Sequence, residues 1–391
     1  MRRIRVPVRD GWVDRLRAAG LPYGRAHRSG GEFYDYWTEG TALVLSPDEA
    51  GAFTAAAQDL WRRAVGLADE LLAGGEEDLG LPLTALPAVL WSRRAGHRGL
   101  AARLDFGVRP GGAPQLFELN PDVPVLLAEC GPAQRDWHAT LPDGLRQRTT
   151  QVEGLEDALA RRWGQLLPGH GALLHLTYLP DPDDEERAHA EIMASLARRA
   201  GWSTEILEFD AVRWDGAALR APDGRPLRHW AKLYGWYWLL ADQRQSGYAL
   251  RALGSAEPLV VFEPLWRLAL ESKALLVHLA RRHPSHPNLP AATLTEPNDP
   301  RGWVRKPLFG YQSAGVRAVT ADGAVHRGDA RLAQETGWMW QRLVDTRDED
   351  GVARTVSVWL VDGRPVGLGI REDDDLVIST EPRFVPHLVA H

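Results

Sequence analysis

The chain has 391 residues, 44% hydrophobic and 25% charged, with a formal net charge of -6. That size and balance fit a globular protein of two or three domains with substantial cores, and without any basic stripe they argue against nucleic acid as a partner. A single cysteine, Cys130, allows no intrachain disulfide, no run approaches the ~20 apolar residues of a membrane span, and no apolar stretch follows the basic start, so a soluble, cytoplasmic protein is expected.

Residues 1–45 read as an irregular arm, with Phe33, Tyr34, Tyr36 and Trp37 as an aromatic anchor. Ser46-Pro47-Asp48-Glu49 then opens a helix, with Ser46 as N-cap, Pro47 in the first turn and Glu49 completing a capping box. Phe53, Ala57, Leu60, Ala64, Leu67 and Leu71 make its apolar stripe, and Gly74-Gly75 ends it. A second helix is expected over 87–98.

Arg103 to Asp122 follows. Gly111-Gly112 between alternating residues reads as the two-residue turn of a hairpin, because a primed turn needs the positive φ that glycine supplies. The register then sets Arg103 opposite Asn120 and Asp105 opposite Glu118 on one face, with Leu104, Phe106, Phe117 and Leu119 on the other. Two carboxylates directly across a ladder repel each other. A divalent cation between them relieves the repulsion, and Asp105, Glu118 and Asn120 offer the oxygen ligands that suit Mg²⁺. Arg103 becomes a fixed charge for a phosphoryl group or oxyanion. The same spacing also fits a solvated face with a weak surface pair.

Helices are expected over 126–131 and 155–166. Residues 172–178 are strand-like, the acidic turn Asp181-Pro182-Asp183-Asp184 leads into a helix over 185–199, and a strand near 204–209 completes a β-α-β unit. That turn lacks the glycines of a dinucleotide fingerprint. A helix over 266–282 carries Lys273, and a hairpin turns at Asp362-Gly363. Lys306 precedes a small-residue loop, Gly310 to Gly315, of the kind whose N–H groups approach phosphates. Arg371 ends a strand whose glycines permit close approach. Taken singly, these also fit a helical surface lysine, a plain loop and a strand-end arginine. His283 and His286 lack the further ligands that zinc requires.

Together, Arg103-Leu104-Asp105, Phe117-Glu118-Leu119-Asn120-Pro121-Asp122 with Pro124, Glu263-Pro264 with Trp266, Ser272-Lys273-Ala274-Leu275-Leu276, His286-Pro287-Asn288-Leu289, Lys306-Pro307, Trp359-Leu360-Val361 and Gly367 to Glu372 stand in a telling order. It resembles the glutathionylspermidine synthetase-like branch of the ATP-grasp ligases from about Trp37 to His387, most of all its stand-alone members without an amidase domain. The resemblance implies an α/β (α+β) ATP-grasp fold, with antiparallel sheets around ATP and a parallel β-α-β pre-ATP-grasp domain. The implied division is 1–168 for the helical region and metal-bearing hairpin, 169–262 for the β-α-β domain and 263–391 for the nucleotide-binding lobe.

Residue by residue, the resemblance implies Asp105, Glu118 and Asn120 as ligands of Mg²⁺, two ions in all, and Arg103 and Arg371 as catalytic. It assigns Lys273 and Lys306 to ATP, Gly310, Ser313 and Gly315 to a phosphate-covering loop, Trp338, Met339, Trp340 and Gln341 to an adenine hinge, and Leu376 to a nucleotide contact. The implied activity is ADP-forming ligation of a small-molecule or peptide carboxylate to an amine through an acyl phosphate, with no nucleic acid or membrane partner. A nucleotide- or peptide-binding relative without turnover is the alternative. Where members commonly carry Thr-Pro-Thr-Ser this chain has Val123-Pro124-Val125-Leu126, and where Trp-Glu is usual it has Trp236-Tyr237. These departures point to an apolar acid and away from glutathione and spermidine.

Overall fold

The computed structural model describes residues 1–28, 31–74, 78–241, 246–254, 258–329 and 337–391; Gly75, the expected helix end, lies outside them. The helix Pro47–Leu72 starts as its sequence requires. Glu49 N–H donates to Ser46 Oγ at 3.1 Å and Ser46 N–H donates to the Glu49 carboxylate at 2.9 Å. Its buried stripe packs on the hairpin of Ala353–Val361 and Arg364–Asp373.

Two antiparallel sheets frame the cleft. One runs in the order Arg383–Val385, Arg364–Asp373, Ala353–Val361, Ala101–Gly107, Gln115–Asn120. It joins the first third of the chain to the last, for instance through Leu104 opposite Val358. The other runs Ala292–Thr293, Trp338–Arg342, Trp303–Pro307, Arg317–Val319, Val325–Arg327. A third, parallel sheet orders Val260–Phe262, His229–Lys232, Leu173–Tyr178 and Ser203–Glu208, and the helix Glu185–Arg199 links its last two strands as the β-α-β pattern predicts. The architecture is the mixed α/β one expected, with antiparallel sheets beside a parallel one. Among the described residues no helix is long and apolar enough to cross a membrane.

Four expectations need correction. Residues 1–45 are not irregular: they hold strands Arg2–Arg5, Arg25–His27, Phe33–Asp35 and Thr41–Leu45 and the helix Trp12–Ala18. Thr41–Leu45 pairs with His387–Ala390 at the other end of the chain, so no local pattern marks it. Trp37 anchors the segment by stacking on Phe384, with centroids 5.4 Å apart.

The turn of the central hairpin is also different. Gly112 N–H donates to Arg109 O at 2.8 Å, with Pro110 second and Gly111 third at φ +71, which is the pattern of a type II turn. A bulge after Asp105 shifts the register so that Leu116 faces Phe106 and Phe117 leaves the core face. The Phe117 ring lies where a Cβ on Gly107 would come within 2.0 Å of it. By contrast, Asp362 and Gly363 both have positive φ, +51 and +74, as a primed turn requires.

The helix expected over 266–282 is interrupted. Leu268–Glu271 stops at Ser272, whose backbone is extended, and Ala274–Arg282 begins a new helix. Finally, the helix expected over 126–131 does not begin at Leu126, whose φ is +76, and continues through a π-helical segment, Glu129–Ala133.

Candidate active site

A cavity of about 600 Å³ lies between the two antiparallel sheets and reaches the loop that follows Leu173–Tyr178. At its centre, Asp105 is 1% exposed. Its carboxylate accepts from Arg103 Nε and Nη2, both at 2.9 Å, from Ser357 Oγ at 2.7 Å and from Arg371 Nη2 at 3.0 Å. Burial pushes the Asp105 carboxyl up, but Arg103 and then Arg371 outweigh it and bring the pKa to about 2. Glu118, directly across the ladder, meets Lys273 Nζ at 3.4 Å. Side-chain cations therefore offset the paired carboxylates, and the charge argument by itself does not demand a metal.

The donor set still suits one. Asn120 donates through its amide nitrogen to both carboxylates at 3.4 Å, which leaves its carbonyl oxygen for another partner. Among the described residues no group of three or more His, Cys, Asp or Glu could hold a metal. Mg²⁺ commonly binds through one or two carboxylates together with phosphate oxygens and water, and Glu118, Asn120 and Asp105 meet that pattern.

The cationic half of the cleft is set by backbone breaks. The interruption at Ser272 aims Lys273 inward: its N–H donates to Leu308 O at 2.9 Å and its Nζ to Gly310 O at 3.1 Å. Lys306 Nζ donates to Gln341 Oε1 at 2.8 Å and to Phe117 O at 3.0 Å. Burial, with repulsion from Lys273, lowers the Lys306 pKa to about 8 although Glu118 and Asp105 oppose the shift. In the following loop Gln312 and Ser313 hold φ of +50 and +58, a strained geometry for non-glycine residues of the kind that clusters at ligand clamps. Gly310 and Ser313 line the cavity, whereas Gly315 turns away and donates to Asp329 O at 3.1 Å. Tyr237 stacks on Phe309 at 4.9 Å and Trp238 meets Tyr311 edge-on at 5.0 Å, so helix Trp236–Ala241 holds the loop.

Val304, Ala318, Leu343, Leu376 and Val377 form an apolar slot beyond the lysines. Gln341 and Leu376 therefore lie in the cleft wall, but Trp338, Met339 and Trp340 do not line it. Strand alternation explains this. Met339 shares the inner face but lies beneath it at 0% exposure, and Trp338 faces the other way, with Arg305 4.1 Å over its ring. Arg342, Leu343 and Val344 continue the wall instead.

Sequence reasoning missed the opposite, acidic half. Tyr23, Tyr34 and Tyr36 come to it from the N-terminal segment, and Asp181, Asp183, Glu185 and Glu186 from the acidic turn. The Asp181 carboxylate accepts from the N–H groups of Asp183, Glu185 and Glu186 at 3.0, 3.0 and 2.8 Å, capping the helix Glu185–Arg199. Burial, then repulsion from Glu129 and Glu186, pushes the Glu185 pKa up to about 8. Burial and Asp181 push Glu186 to about 7. Among the described residues no lysine or arginine pairs with Asp181, Glu185 or Glu186, and Asp183 meets only His27, at 3.0 Å. The signal was present: five of the six positions 181–186 are acidic, more than a helix N-terminus needs.

Between the halves, Asp122 binds Lys232 Nζ at 2.5 Å and the Trp236 N–H. Glu271 beside them is pushed up to about 8 by burial and then by Asp122, with Lys232 opposing. Val123, Val125 and Leu126 supply an apolar wall. Trp236 is fully buried and donates to Glu263 O at 2.9 Å, away from the cavity, while Tyr237 lines it.

A sequence model of the family described as Glutathionylspermidine synthase preATP-grasp matches residues 3–390. A putative acid–amine ligase from Haemophilus influenzae is 27% identical over 97% of this chain and 97% of its own length. A trypanothione synthetase from Crithidia fasciculata is 24% identical over 91% of this chain, and a bifunctional glutathionylspermidine synthetase/amidase from Escherichia coli is 25% identical over 80%. The chain spans about half the length of these two, 53% and 54%. A glutathione synthetase-like effector from Globodera pallida in apo form shares the fold, with a TM-score of 0.54 over 97% of this chain and 96% of that one at 8% identity.

Proposed function

Since the chain belongs to the glutathionylspermidine synthase family, whose model covers residues 3–390, we propose that it is an ATP-dependent ligase joining a carboxylate to a cationic amine. The amide forms through an acyl phosphate, with release of ADP and phosphate. One observation carries the reading: a single cleft has Lys273, Lys306 and Arg371 toward one end and, at the other, Asp181, Glu185 and Glu186, which no lysine or arginine among the described residues pairs. A triphosphate brings the charge the first end lacks, and an ammonium group the charge the second lacks.

A carboxylate is a poor acyl donor, and ATP supplies the phosphoryl group that activates it; Glu118, Asn120 and Asp105 would hold the Mg²⁺ that offsets charge on the phosphates. Lys273 and Lys306 hold the phosphates, and the apolar slot around Leu376 takes the base. Arg371 faces the transferring group, and Arg103 the oxyanion that forms when the amine attacks; such preorganised charge is where catalysis of this kind gains most. The Gly310–Gly315 loop, held by Tyr237 and Trp238, excludes water from the acyl phosphate. Val123, Val125 and Leu126 suit an acid with an apolar portion. The Trp236-Tyr237 departure does not strip the amine end of carboxylates, because Asp181, Glu185 and Glu186 supply them, so cationic amines return to the expected range.

ADP release against paired libraries of carboxylates and amines tests the reading. Release that needs both partners is expected, with a hydroxamate when hydroxylamine replaces the amine. Carboxylate-independent ADP release, or a product that hydroxylamine does not trap, would sink it.

A further inference from the structure

We propose that Tyr36 and Glu129 form the proton relay that turns the incoming ammonium group into a nucleophile. The inference rests on the ligase reading above. An alkylamine arrives protonated at pH 7, as a lysine side chain is, and its nitrogen has no lone pair to attack with until a proton leaves. The wall carboxylates Glu185 and Glu186 are suited to holding that cation. A separate acceptor is needed nearer the transferring group.

Tyr36 lines the cavity and donates its hydroxyl proton to Glu129 Oε1 at 2.6 Å. Glu129 is 0% exposed, and among the described residues its buried Oε2 has no hydrogen-bond partner. Such an atom costs stability and asks for an explanation. The backbone around it is unusual as well. Glu129 begins the π-helical segment Glu129–Ala133, and Leu126, three residues earlier, holds φ +76. Both are features that collect at functional sites.

The charged and titratable groups around Glu129 fit the role. Tyr23 and Tyr36 face it from the N-terminal segment, Glu185 from the helix Glu185–Arg199, and Arg371 from the strand Arg364–Asp373, with Cys130 its chain neighbour. Burial raises the Glu129 pKa while the two tyrosines and Arg371 pull it back, which leaves a stronger base than a free carboxylate. Interacting with Arg371 on one side and with Glu185 on the other, it lies between the phosphoryl end of the cleft and the acidic wall.

In the step, the ammonium nitrogen gives one proton to Tyr36 Oη as the Tyr36 proton passes to Glu129 Oε1. The freed lone pair forms the C–N bond, the acyl C–O bond to phosphate breaks, and a second proton from nitrogen leaves with the phosphate. Glu129 ends as a neutral acid and returns its proton to solvent after the product departs.

The test compares wild type, Tyr36→Phe and Glu129→Gln with the acid that gives the fastest ADP release and two nucleophiles: hydroxylamine, neutral at pH 7, and 1,4-diaminobutane, protonated there. Hydroxamate formation within about twofold of wild type is expected for both variants, with amide formation on 1,4-diaminobutane down by ~10²–10⁴-fold. That loss shrinks as pH rises toward the pKa of the amine. An equal fall with both nucleophiles overturns the relay in favour of a structural role, and an unchanged rate with 1,4-diaminobutane also overturns it. If Glu129→Gln does not fold, Tyr36→Phe, which removes a single oxygen, decides. No hydroxamate from wild type with any acid removes the ligase reading itself, whereas hydroxamate without any amide from 1,4-diaminobutane removes the cationic-amine reading and the relay built on it.

Discussion

The two ends of the cleft differ in how their charge is balanced. At the cationic end most charges already have a partner in the fold: Asp105 has Arg103 and Arg371, Glu118 has Lys273, and Lys306 has Gln341 and the Phe117 carbonyl. At the acidic end Asp181, Glu185 and Glu186 have no lysine or arginine among the described residues, and burial and mutual repulsion raise the pKa values of Glu185 and Glu186. A ligand at the first end exchanges one set of partners for another, so its net gain is modest and depends on geometry. A ligand at the second end relieves a repulsion that no lysine or arginine among the described residues relieves, so charge alone favours it and salt weakens it.

Removing a cation from the first end is the severest test of this contrast. Arg371→Ala should lower acid-dependent ADP release by ~10²–10³-fold while leaving the amine KM near wild type in steady-state assays. A rise in amine KM as large as the fall in kcat would show that the ends are not separable. Reversing charge at the acidic end comes next: Glu185→Lys should raise the KM for 1,4-diaminobutane ~10–100-fold, equivalent to about 1.4–2.8 kcal/mol, with the ATP KM unchanged.

A smaller effect sharpens the contrast through pH. The folded-state pKa values of Glu185 and Glu186, about 8 and about 7, lie above that of an unfolded glutamate. The folded protein therefore binds more protons than the unfolded chain between about pH 5 and 8, and stability falls as pH rises through that window. Glu185→Gln should remove part of this loss, gaining ~1 kcal/mol or roughly 2 °C at pH 8 and nothing at pH 4. Melting curves that stay parallel for the two proteins from pH 4 to 8 would contradict an uncompensated acidic end. Smallest of all, Trp338→Ala should leave ATP affinity within about twofold, since surface substitutions away from a site change little; a tenfold loss in calorimetry would return the indole to the cleft.

Local chemistry was legible in the sequence, and distant pairing was not. The capping box at Ser46, the primed turn at Asp362-Gly363 and the β-α-β unit each depend on residues within one segment. The register of Arg103 with Asn120 and of Asp105 with Glu118 was also legible, although the turn behind it was misjudged. The longer loop shifts the pairing by one residue and the bulge at Phe117 shifts it back, so two local departures cancel before the polar face is reached. The break at Ser272 carries no glycine or proline signal. It is fixed by the Ser272 hydroxyl donating to Leu79 O, a contact between distant parts of the chain. The acidic end stayed hidden for the same reason, since the segment that carries Tyr36 is placed by pairing Thr41–Leu45 with His387–Ala390 and by packing Tyr36 on Phe384, both from the other end of the chain.

One end of the cleft seeks positive charge, and a matched pair of nucleophiles measures that preference directly. 1,4-Diaminobutane and 4-aminobutanoate share a four-carbon chain and an attacking amine and differ in the charge at the far end. With the same acid, ATP and Mg²⁺, kcat/KM for the diamine is expected to be at least about tenfold higher, a gap of about 1.4 kcal/mol that narrows as salt is added. Equal values, or a preference for 4-aminobutanoate, would contradict it.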